Sequence, residues 1–257
     1  IKQVEMIDQN PIGKSSRSNP VTYIKAWDGV RDLYSSQPLS KIRGYLPKHF
    51  SFNVDGGRCD TCKGEGEQTV EMQFLADVHL TCESCGGKKF KEEVLEVQYK
   101  GKNIYAVLEL SVDEAIEFFK DEKDIAGKLK PLSDVGLGYV KLGQSSGTLS
   151  GGEAQRVKLA SFLGRGKGHQ DKIMFIFDEP TTGLHFNDIK KLLTSFNALI
   201  DQGHTILVIE HNTDVIKSAD WIIELGPEAG ALGGQQVFAG IPSAIKKSKK
   251  SRIAPYL

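Results

Sequence analysis

Apolar and polar positions follow different periodicities in the two halves of the chain. In the first half, Val4–Ile7 reads as a short strand that leads into a polar loop, and Val21–Tyr34 has a helical pattern. Residues 35–110 are irregular, with short alternating runs at Gln68–Phe74 and Val94–Tyr99 that predict strands. These short runs indicate a region of small elements joined by turns.

The second half alternates between helices and strands. Ser111-x-x-Glu114 and Ser150-x-x-Glu153 are capping-box patterns, and each predicts the start of a helix. The continuous apolar runs Ile173–Phe177 and Thr205–Ile209 are typical of strands buried on both faces, and a helical pattern at about Asn187–Gln202 separates them. This order predicts a parallel sheet with helices on its faces, followed by a frayed basic tail at 245–252.

Composition limits the classes of protein that fit. The 257 residues allow one large domain or two small ones, and 39% hydrophobic residues describe an ordinary globular protein. The 33 basic residues balance 33 acidic ones, so any nucleic-acid binding must come from local patches. No apolar run reaches the roughly 18 residues of a membrane span, and the N-terminus lacks the apolar core of a signal peptide. The chain also begins without Met, which suggests a piece of a longer protein.

The cysteines form one of two strong chemical signals. They fall in two pairs, Cys59-x-x-Cys62 and Cys82-x-x-Cys85, in a chain that holds no others. Four thiolates at this spacing predict a single tetrahedral Zn²⁺ site in a reducing, cytoplasmic compartment. Redox chemistry and an iron–sulfur cluster are the alternatives, and structural stabilisation is the default role of the metal.

The second signal is a set of polar residues around the predicted sheet. The strand Ile173–Phe177 ends in Asp178 and Glu179, of which the first could hold Mg²⁺ and the second could act on an attacking water. Ser150, Gly151 and Gly152 precede a helix, where free amides favour an anion. His211 follows the next buried strand. Each feature alone also fits a plain turn, a capped helix or an exposed histidine.

Together these residues resemble the ATP-binding-cassette ATPases. LSGGE at Leu149–Glu153 resembles their signature motif, and IMFIFDE resembles their Walker B strand with its catalytic glutamate. Pro180–His185 resembles the D-loop, His211 the switch histidine, and Gln9 the Q-loop glutamine. The resemblance implies that Asp178 holds Mg²⁺, that Glu179 acts on water and that His211 and Gln9 sense the phosphate.

The chain as a whole resembles the UvrA family of bacterial damage-recognition ATPases. The residues that carry this likeness are IDQNPIGKSSRSNPVTY, LSGGEAQRVKLA, FIFDEPTTGLHF and VIEHNTDVIKSADWIIELGPEAG, together with the cysteine segment. The resemblance implies an α/β fold, in which an ATP-binding-cassette core (a parallel sheet flanked by helices) carries an inserted helical signature subdomain and a small four-cysteine zinc module. It also implies the second, C-terminal cassette of a protein that forms homodimers, binds double-stranded DNA with lesions and hands the lesion to UvrB.

On this basis the domain limits can be predicted. We expect core at 1–22, an inserted signature subdomain at 23–130 with the zinc module at about 56–92, core again at 131–245, and a basic tail at 246–257. The pattern G-x-x-x-x-G-K-[ST] does not occur in the sequence, so we expect the phosphate loop upstream and little or no ATPase activity from this chain alone. The resemblance also implies that Ser150, Gly151, Gly152 and Glu153 face a nucleotide held by the opposing cassette.

DNA contacts are expected near the loop after Gln9 and around the cysteines. The candidates are Lys14, Arg17, Lys63, Lys88 and Lys89, which could contact phosphates without reading bases. Solvated surface is the plain alternative for each of them. Two other functions remain open: a zinc-stabilised module that binds DNA or a partner without catalysis, and a zinc-domain chaperone, because Cys59–Gly66 matches the C-x-x-C-x-G-x-G pattern of DnaJ-type domains.

Overall fold

The computed structural model describes residues 1–13, 17–70, 72, 78–164, 172–226, 228 and 233–257. The chain forms two compact units, which we call the sheet unit (Ile1–Ile7 with Asp171–Leu257) and the inserted unit (Asp8–Gln170). The sheet unit is discontinuous in sequence, because the whole inserted unit lies between its first strand and its second. No helix in the described part of the chain is long and apolar enough to cross a membrane.

The sheet unit contains a parallel sheet, an antiparallel strand pair and helices. Its elements are β1 Gln3–Ile7, β6 Ile173–Asp178, α9 Phe186–Asp201, β7 Thr205–Ile209, α10 Thr213–Lys217, β8 Ile222–Gly226, β9 Gln235–Gly240 and α11 Pro242–Ile245. The inserted unit is mostly helical. Its helices are α1 Pro20–Tyr23, α2 Ala26–Ser35, α3 Pro38–Arg43, α4 Glu92–Leu95, α5 Ile104–Leu108, α6 Val112–Phe118, α7 Lys123–Asp134 and α8 Gly151–Leu163. Its strands are β2 Glu67–Val70, β3 Val78–Thr81, β4 Gln98–Tyr99 and β5 Lys102–Asn103.

The predicted parallel sheet is present. Strands β1, β6 and β7 lie side by side in the order β1-β6-β7 and run parallel, with Ile7 opposite Phe177 and Phe177 opposite Val208. One face of the sheet packs on α9, where the Phe177 and Phe196 ring centroids are 4.7 Å apart. Because the strands are parallel, β6 and β7 both end at one edge of the sheet, and Asp178 lies opposite Ile209 there.

Strand β7 differs from the prediction of burial on both faces. Leu207 and Ile209 are 40% and 48% exposed, and Val4 and Met6 of β1 are each 56% exposed. Met6 and Leu207 are in register through Ile176, so these side chains lie on the same face of the sheet. Among the described residues, α9 covers only the opposite face.

The basic tail is also more ordered than predicted. The Glu224 carboxylate on β8 accepts hydrogen bonds from the Arg252 and Ile253 amides at 2.9 and 3.2 Å. Ile245 is fully buried in an apolar cluster with Ile216 and Ile222. A buried carboxylate and an apolar cluster therefore hold the two ends of the segment 245–252, for which the sequence predicts fraying.

Two predicted elements of the inserted unit need correction. The helical pattern Val21–Tyr34 forms two helices, because Lys25 adopts a left-handed conformation (φ 60°) between α1 and α2. The first two residues of the predicted strand Val94–Tyr99 belong to helix α4, and only Gln98–Tyr99 forms a strand. Val94 and Leu95 are adjacent and both buried. A strand would direct two adjacent side chains to opposite faces.

The compact units differ from the predicted domain limits. They divide at residues 7/8 and 170/171, whereas the sequence analysis expects boundaries at 22/23 and 130/131. Helix α8, which carries the signature-like motif, packs on α1 and α7 within the inserted unit. The functional partition stays a prediction, because compactness does not show which segments act together.

Candidate functional site

The four cysteines meet at one point in the inserted unit. The ligand atoms of Cys59, Cys62, Cys82 and Cys85 all lie within 4.8 Å of one another. The Cys59 and Cys82 sulfurs are 3.9 Å apart, and the Cys62 and Cys85 sulfurs are 3.7 Å apart. Sulfurs at about 2.3 Å from a tetrahedral zinc ion lie about 3.8 Å from one another, so this cluster fits Zn²⁺.

Backbone hydrogen bonds shape each cysteine pair into a turn. The Glu65 amide donates to the Cys62 carbonyl and the Lys88 amide donates to the Cys85 carbonyl, each at 3.0 Å. The Gly66 amide donates to the Cys62 sulfur at 3.2 Å. A donor directed at sulfur favours the thiolate, which is the form that binds metal.

Gly64 is required by the turn that follows Cys62. Its φ is +86°, and an added Cβ would lie 2.1 Å from the carbonyl oxygen of Phe52. A side chain at this position would therefore be strained and would also clash with a neighbouring backbone. The first glycine of the C-x-x-C-x-G-x-G pattern is explained by this local geometry, without reference to a chaperone.

The thiols show why the cluster favours a cation. Burial raises the pKa of the Cys85 thiol to about 12 and also raises the pKa of Cys62. Burial acts in the same direction on Cys59, but the backbone amides of Cys62 and Thr61 outweigh it and lower its pKa to about 7. Several buried thiolates are costly without a counter-charge, and a divalent metal supplies one.

Aromatic side chains support the cysteine cluster from within the inserted unit. The Trp27 ring on α2 lies 5.7 Å from the Phe52 ring, which lies 6.4 Å from the Phe90 ring. Phe52 and Phe90 are 2% and 1% exposed, and they precede and follow the cysteine segment in sequence. This aromatic row connects the predicted zinc module (about 56–92) to α2.

The candidate DNA contacts lie in different settings. Lys63 and Lys88 are exposed and Lys89 is half-buried, and Lys63 and Lys89 both have left-handed backbones, with φ of 51° and 70°. The Arg17 guanidinium donates to the Lys63 carbonyl at 3.1 Å, so it braces the zinc module. Lys14 lies outside the described residues. Lys63, Lys88 and Lys89 thus lie within the zinc module, near its cysteines in sequence, while Arg17 already has a structural contact.

The signature-like motif begins helix α8 with the capping box that the sequence predicts. The Ser150 hydroxyl accepts from the Glu153 amide at 3.3 Å, and the Glu153 carboxylate accepts from the Ser150 amide at 2.7 Å. The Tyr139 hydroxyl also donates to that carboxylate, at 2.5 Å. Burial opposes ionisation of Glu153, but these hydrogen bonds prevail and lower its pKa. Glu153 therefore orients the helix start, where Gly151 and Gly152 present amides suited to an anion.

Gln9 packs on this helix start within the inserted unit. A Cβ added to Gly151 would lie 2.9 Å from the Gln9 side-chain oxygen and 3.0 Å from the Gln9 Cβ. Next to Gln9, the Asp8 carboxylate forms an ion pair with Lys158 of α8, and the Lys158 ammonium also donates to the Asp8 carbonyl at 3.2 Å. The residues assigned to the Q-loop thus lie along the helix of the signature-like motif.

The two acids at the end of β6 lie at the edge of the sheet. Asp178 is the last residue of the strand and is exposed. Glu179 has a left-handed backbone (φ 43°), its amide donates to the Ile209 carbonyl at 2.9 Å, and its carbonyl accepts from the Thr182 amide at 3.1 Å. A non-glycine residue held at positive φ is uncommon and occurs more often at functional sites.

His211 meets Glu179 at this edge. Its Nε2 lies 3.7 Å from the Glu179 Oε1, although the two side chains are 83% and 52% exposed. The sheet unit therefore brings together the residues predicted as water-activating acid and switch histidine, next to Asp178 in the sequence. A carboxylate beside an imidazole at a strand end can hold or orient a water molecule.

Glu210 is a residue at this edge that the sequence analysis did not assign. Its carboxylate accepts hydrogen bonds from Thr181, His211 and Asn212. Burial opposes ionisation, but these hydrogen bonds, with those from Thr181 first, lower the pKa of Glu210. Glu210 could have been identified from the sequence, because it is an acid directly before a candidate histidine at the end of a predicted strand.

No protein-family model matches the chain. The UvrABC system protein A of Aquifex aeolicus (strain VF5) is 54% identical over 257 residues, which is 100% of this chain and 28% of the relative. The protein of the same name from Pasteurella multocida (strain Pm70) is 56% identical over 251 residues, 98% of this chain and 26% of the relative. The chain thus spans little more than a quarter of the length of these relatives.

A solved structure resembles the chain throughout. The crystal structure of UvrA2 from Deinococcus radiodurans matches with a TM-score of 0.91 and 46% sequence identity, covering 100% of this chain and 31% of that chain. The resemblance to UvrA stated from the sequence is therefore confirmed from end to end. The predicted fold class is confirmed as well, with a parallel sheet, an inserted helical part and four clustered cysteines.

Proposed function

We propose that this chain is the C-terminal cassette of a UvrA-type ATPase that recognises damaged DNA in nucleotide excision repair. The observation that carries the proposal is the meeting of Glu179 and His211 at 3.7 Å at the sheet edge, in a chain that resembles UvrA throughout. The name of the relatives places them in the UvrABC system. On this proposal the complete protein binds double-stranded DNA with lesions, acts with UvrB and works as a homodimer.

The proposed reaction is attack of water on the terminal phosphate of ATP. Asp178 would hold Mg²⁺, usually through water, and Glu179 would orient or deprotonate the attacking water. His211 and Gln9 would contact the terminal phosphate. A bound Mg²⁺ would supply charge neutralisation at the phosphate oxygens, while the left-handed backbone of Glu179 sets the direction of its carboxylate at the edge.

The start of α8 is proposed to serve a nucleotide held by an opposing cassette. The capping box leaves the Ser150 hydroxyl with a hydrogen to donate, since that oxygen accepts from the Glu153 amide. The Gly151 and Gly152 amides add partial positive charge at the helix N-terminus. These three residues would therefore contact phosphate oxygens, while Glu153 holds the helix start in shape.

Zinc is proposed as a structural cofactor held by Cys59, Cys62, Cys82 and Cys85. The sulfur separations of 3.7 and 3.9 Å support this assignment. The proposed contacts to DNA phosphates are three lysines of the zinc module, Lys63, Lys88 and Lys89. Lys14, from the loop after Gln9, is a further candidate. Contacts of this kind bind the backbone and would depend strongly on salt.

The deciding experiment substitutes Glu179→Gln in the complete protein. We expect the variant to bind ATP and to hydrolyse it at least about 100-fold more slowly, because the amide cannot take a proton from water. Steady-state ATPase assays and retention of labelled ATP measure the two effects. Hydrolysis at the wild-type rate would remove the role given to Glu179.

A second candidate function is a module that binds DNA or a partner without catalysis, and the lysines of the zinc module favour it. Fluorescence anisotropy with a lesion-bearing duplex and its undamaged twin separates the two, with and without nucleotide and with and without zinc removal, at stated salt. Binding that depends on zinc and is indifferent to ATP would favour the module. Binding that ATP shifts would favour the ATPase.

A further inference from the structure

We propose that Glu210 is a positioning residue that ties the turn after Glu179 to the turn that carries His211. The proposal rests on the proposed ATPase function, because positioning has a meaning only if these two side chains act on ATP and water. Glu210 is absent from the roles implied by the family resemblance. Its assignment comes from the hydrogen bonds of its carboxylate.

Each oxygen of the Glu210 carboxylate serves a different turn. Oε1 accepts from the Thr181 amide at 2.8 Å and also from the Thr181 hydroxyl. Oε2 accepts from the His211 amide at 2.7 Å and from the Asn212 amide at 2.9 Å. Thr181 lies two residues after Glu179, so one side chain spans the segments that follow β6 and β7.

Only an ionised carboxylate suits this arrangement. All four groups are hydrogen-bond donors, and an ionised carboxylate accepts on both oxygens without donating. A glutamine side chain has the same shape, but its NH₂ group would face donors on one side and leave them unsatisfied. Partly buried donors such as the Thr181 and Asn212 amides are costly to leave without an acceptor, so the turns would have to move apart.

The turns need such a tie because side-chain packing does not hold the reacting groups. The side chains of Glu179 and His211 are both largely exposed, yet they lie 3.7 Å apart. Their relative position therefore depends on the backbones to which they are attached. The Glu179 backbone is left-handed and bonded to the Ile209 carbonyl, and the Glu210 carboxylate fixes the next contact between the same two segments.

The test compares Glu210→Gln with Glu224→Gln in the complete, zinc-loaded protein. Glu224 is a matched control, because its buried carboxylate also accepts two backbone amides in the sheet unit, those of Arg252 and Ile253. For Glu210→Gln we expect kcat to fall about 10- to 100-fold, as a small misplacement of reacting groups can do. We expect the KM for ATP to change less than about twofold, because the variant displaces only groups at the terminal phosphate and leaves the other contacts of the nucleotide in place.

Hydrogen exchange gives a readout that does not depend on activity. We expect the amides of Thr181, His211 and Asn212 to exchange faster in Glu210→Gln, and to be unchanged in Glu224→Gln. Thr181→Val is a milder variant that removes only the hydroxyl donor. We expect kcat to fall about threefold, which corresponds to the lower part of the net free-energy range of one hydrogen bond. This variant decides the matter if Glu210→Gln does not fold.

The outcomes separate this proposal from the proposed function. If the wild type hydrolyses ATP and Glu179→Gln does not, then a kcat for Glu210→Gln within twofold of wild type overturns the role of Glu210 alone. An equal loss of kcat in Glu224→Gln would overturn it too, because the effect would then follow stability. If the wild-type protein hydrolyses no ATP, or Glu179→Gln hydrolyses it normally, the proposed function is wrong, and the positioning role of Glu210 is then wrong as well.

Discussion

In the inserted unit, three of the four cysteines are buried and all four sulfurs lie within 4.8 Å of one another. At the edge of the sheet unit, the Glu179 and His211 side chains are 52% and 83% exposed and approach to 3.7 Å. The first site is compact and held by aromatic side chains beneath it, whereas the second is open and held by its backbone. A structural metal site needs a closed shell of ligands, and a site for nucleotide and water needs access.

This contrast predicts that substitutions at the two sites affect different properties of the protein. Changes in the zinc module should lower stability and local order, with indirect effects on chemistry. Changes at the sheet edge should lower turnover with little effect on stability.

Zinc removal should have the largest effect, since apparent binding free energies of structural zinc are of order 10 kcal/mol. We expect chelation, or Cys62→Ser, to abolish protection from hydrogen exchange at the Cys59 and Cys82 amides, which donate to Lys89 and Gly66 carbonyls. The amides of Glu179 and Thr181 should keep their protection. Thr61→Ala is the control, because it removes the hydroxyl contact to Ser84 and no metal ligand.

If chelation instead exposed the amides of both regions equally, the two sites would form one cooperative unit and the contrast would fail. Metal content measured by mass spectrometry should be one zinc per chain, because the four cysteines form one tetrahedral set. Two ions per chain, or none in carefully prepared protein, would contradict the assignment.

Phe52→Ala should be the most damaging of the substitutions that spare the metal ligands. Phe52 is 2% exposed between Trp27 and Phe90, and deletion of such a ring typically costs about 3–5 kcal/mol. Phe186→Ala is the control, because Phe186 is 74% exposed and should cost no more than about 0.5 kcal/mol. Denaturant unfolding measures both values, and equal costs would show that the aromatic row does not support the zinc module.

The helix starts at Ser150 and Ser111 provide two capping boxes of the same pattern with different expected functions. Ser150→Ala and Ser111→Ala should each cost about 1 kcal/mol of stability, because each removes the same cap. Only Ser150→Ala should also lower ATPase activity in the complete protein, since only that serine begins the signature-like motif. Equal activity in the two variants would leave Ser150 as a helix cap and nothing more.

The ion pair between Asp8 and Lys158 should give the smallest effect. The hydrogen bond from Lys158 is the main cause that lowers the pKa of Asp8 below its usual 3.8. Stability from this pair is therefore present above that value and is lost as the pH falls through the lowered pKa. Lys158→Met should raise the pKa of Asp8, as measured by carboxyl NMR titration, whereas Lys191→Met, whose partner is Asp188, should not change it.

The comparison of the two sites also explains which predictions from sequence succeeded. The two cysteine pairs, the capping boxes and the strand that ends in Asp178 and Glu179 depend on neighbours within a few residues. Such patterns can be interpreted directly, because spacing along the chain then determines spacing in the structure. The strand predicted at Val94–Tyr99 is present only at Gln98–Tyr99, because burial of Val94 and Leu95 at the end of α4 overrode a weak local alternation.

The sequence by itself therefore determined the class of fold, the grouping of cysteines that fits a metal and the residues at the sheet edge. Only the tertiary structure decided how distant segments meet. Asp8 and Lys158 are 150 positions apart, and Thr181 and Glu210 are 29 apart. Contacts across such separations depend on how whole helices and strands pack. That packing must overcome the entropic cost of closing long loops, and it cannot be deduced from a local sequence pattern. For that reason the cysteine cluster could be named from its spacing, while the tie made by Glu210 became visible only in the folded chain.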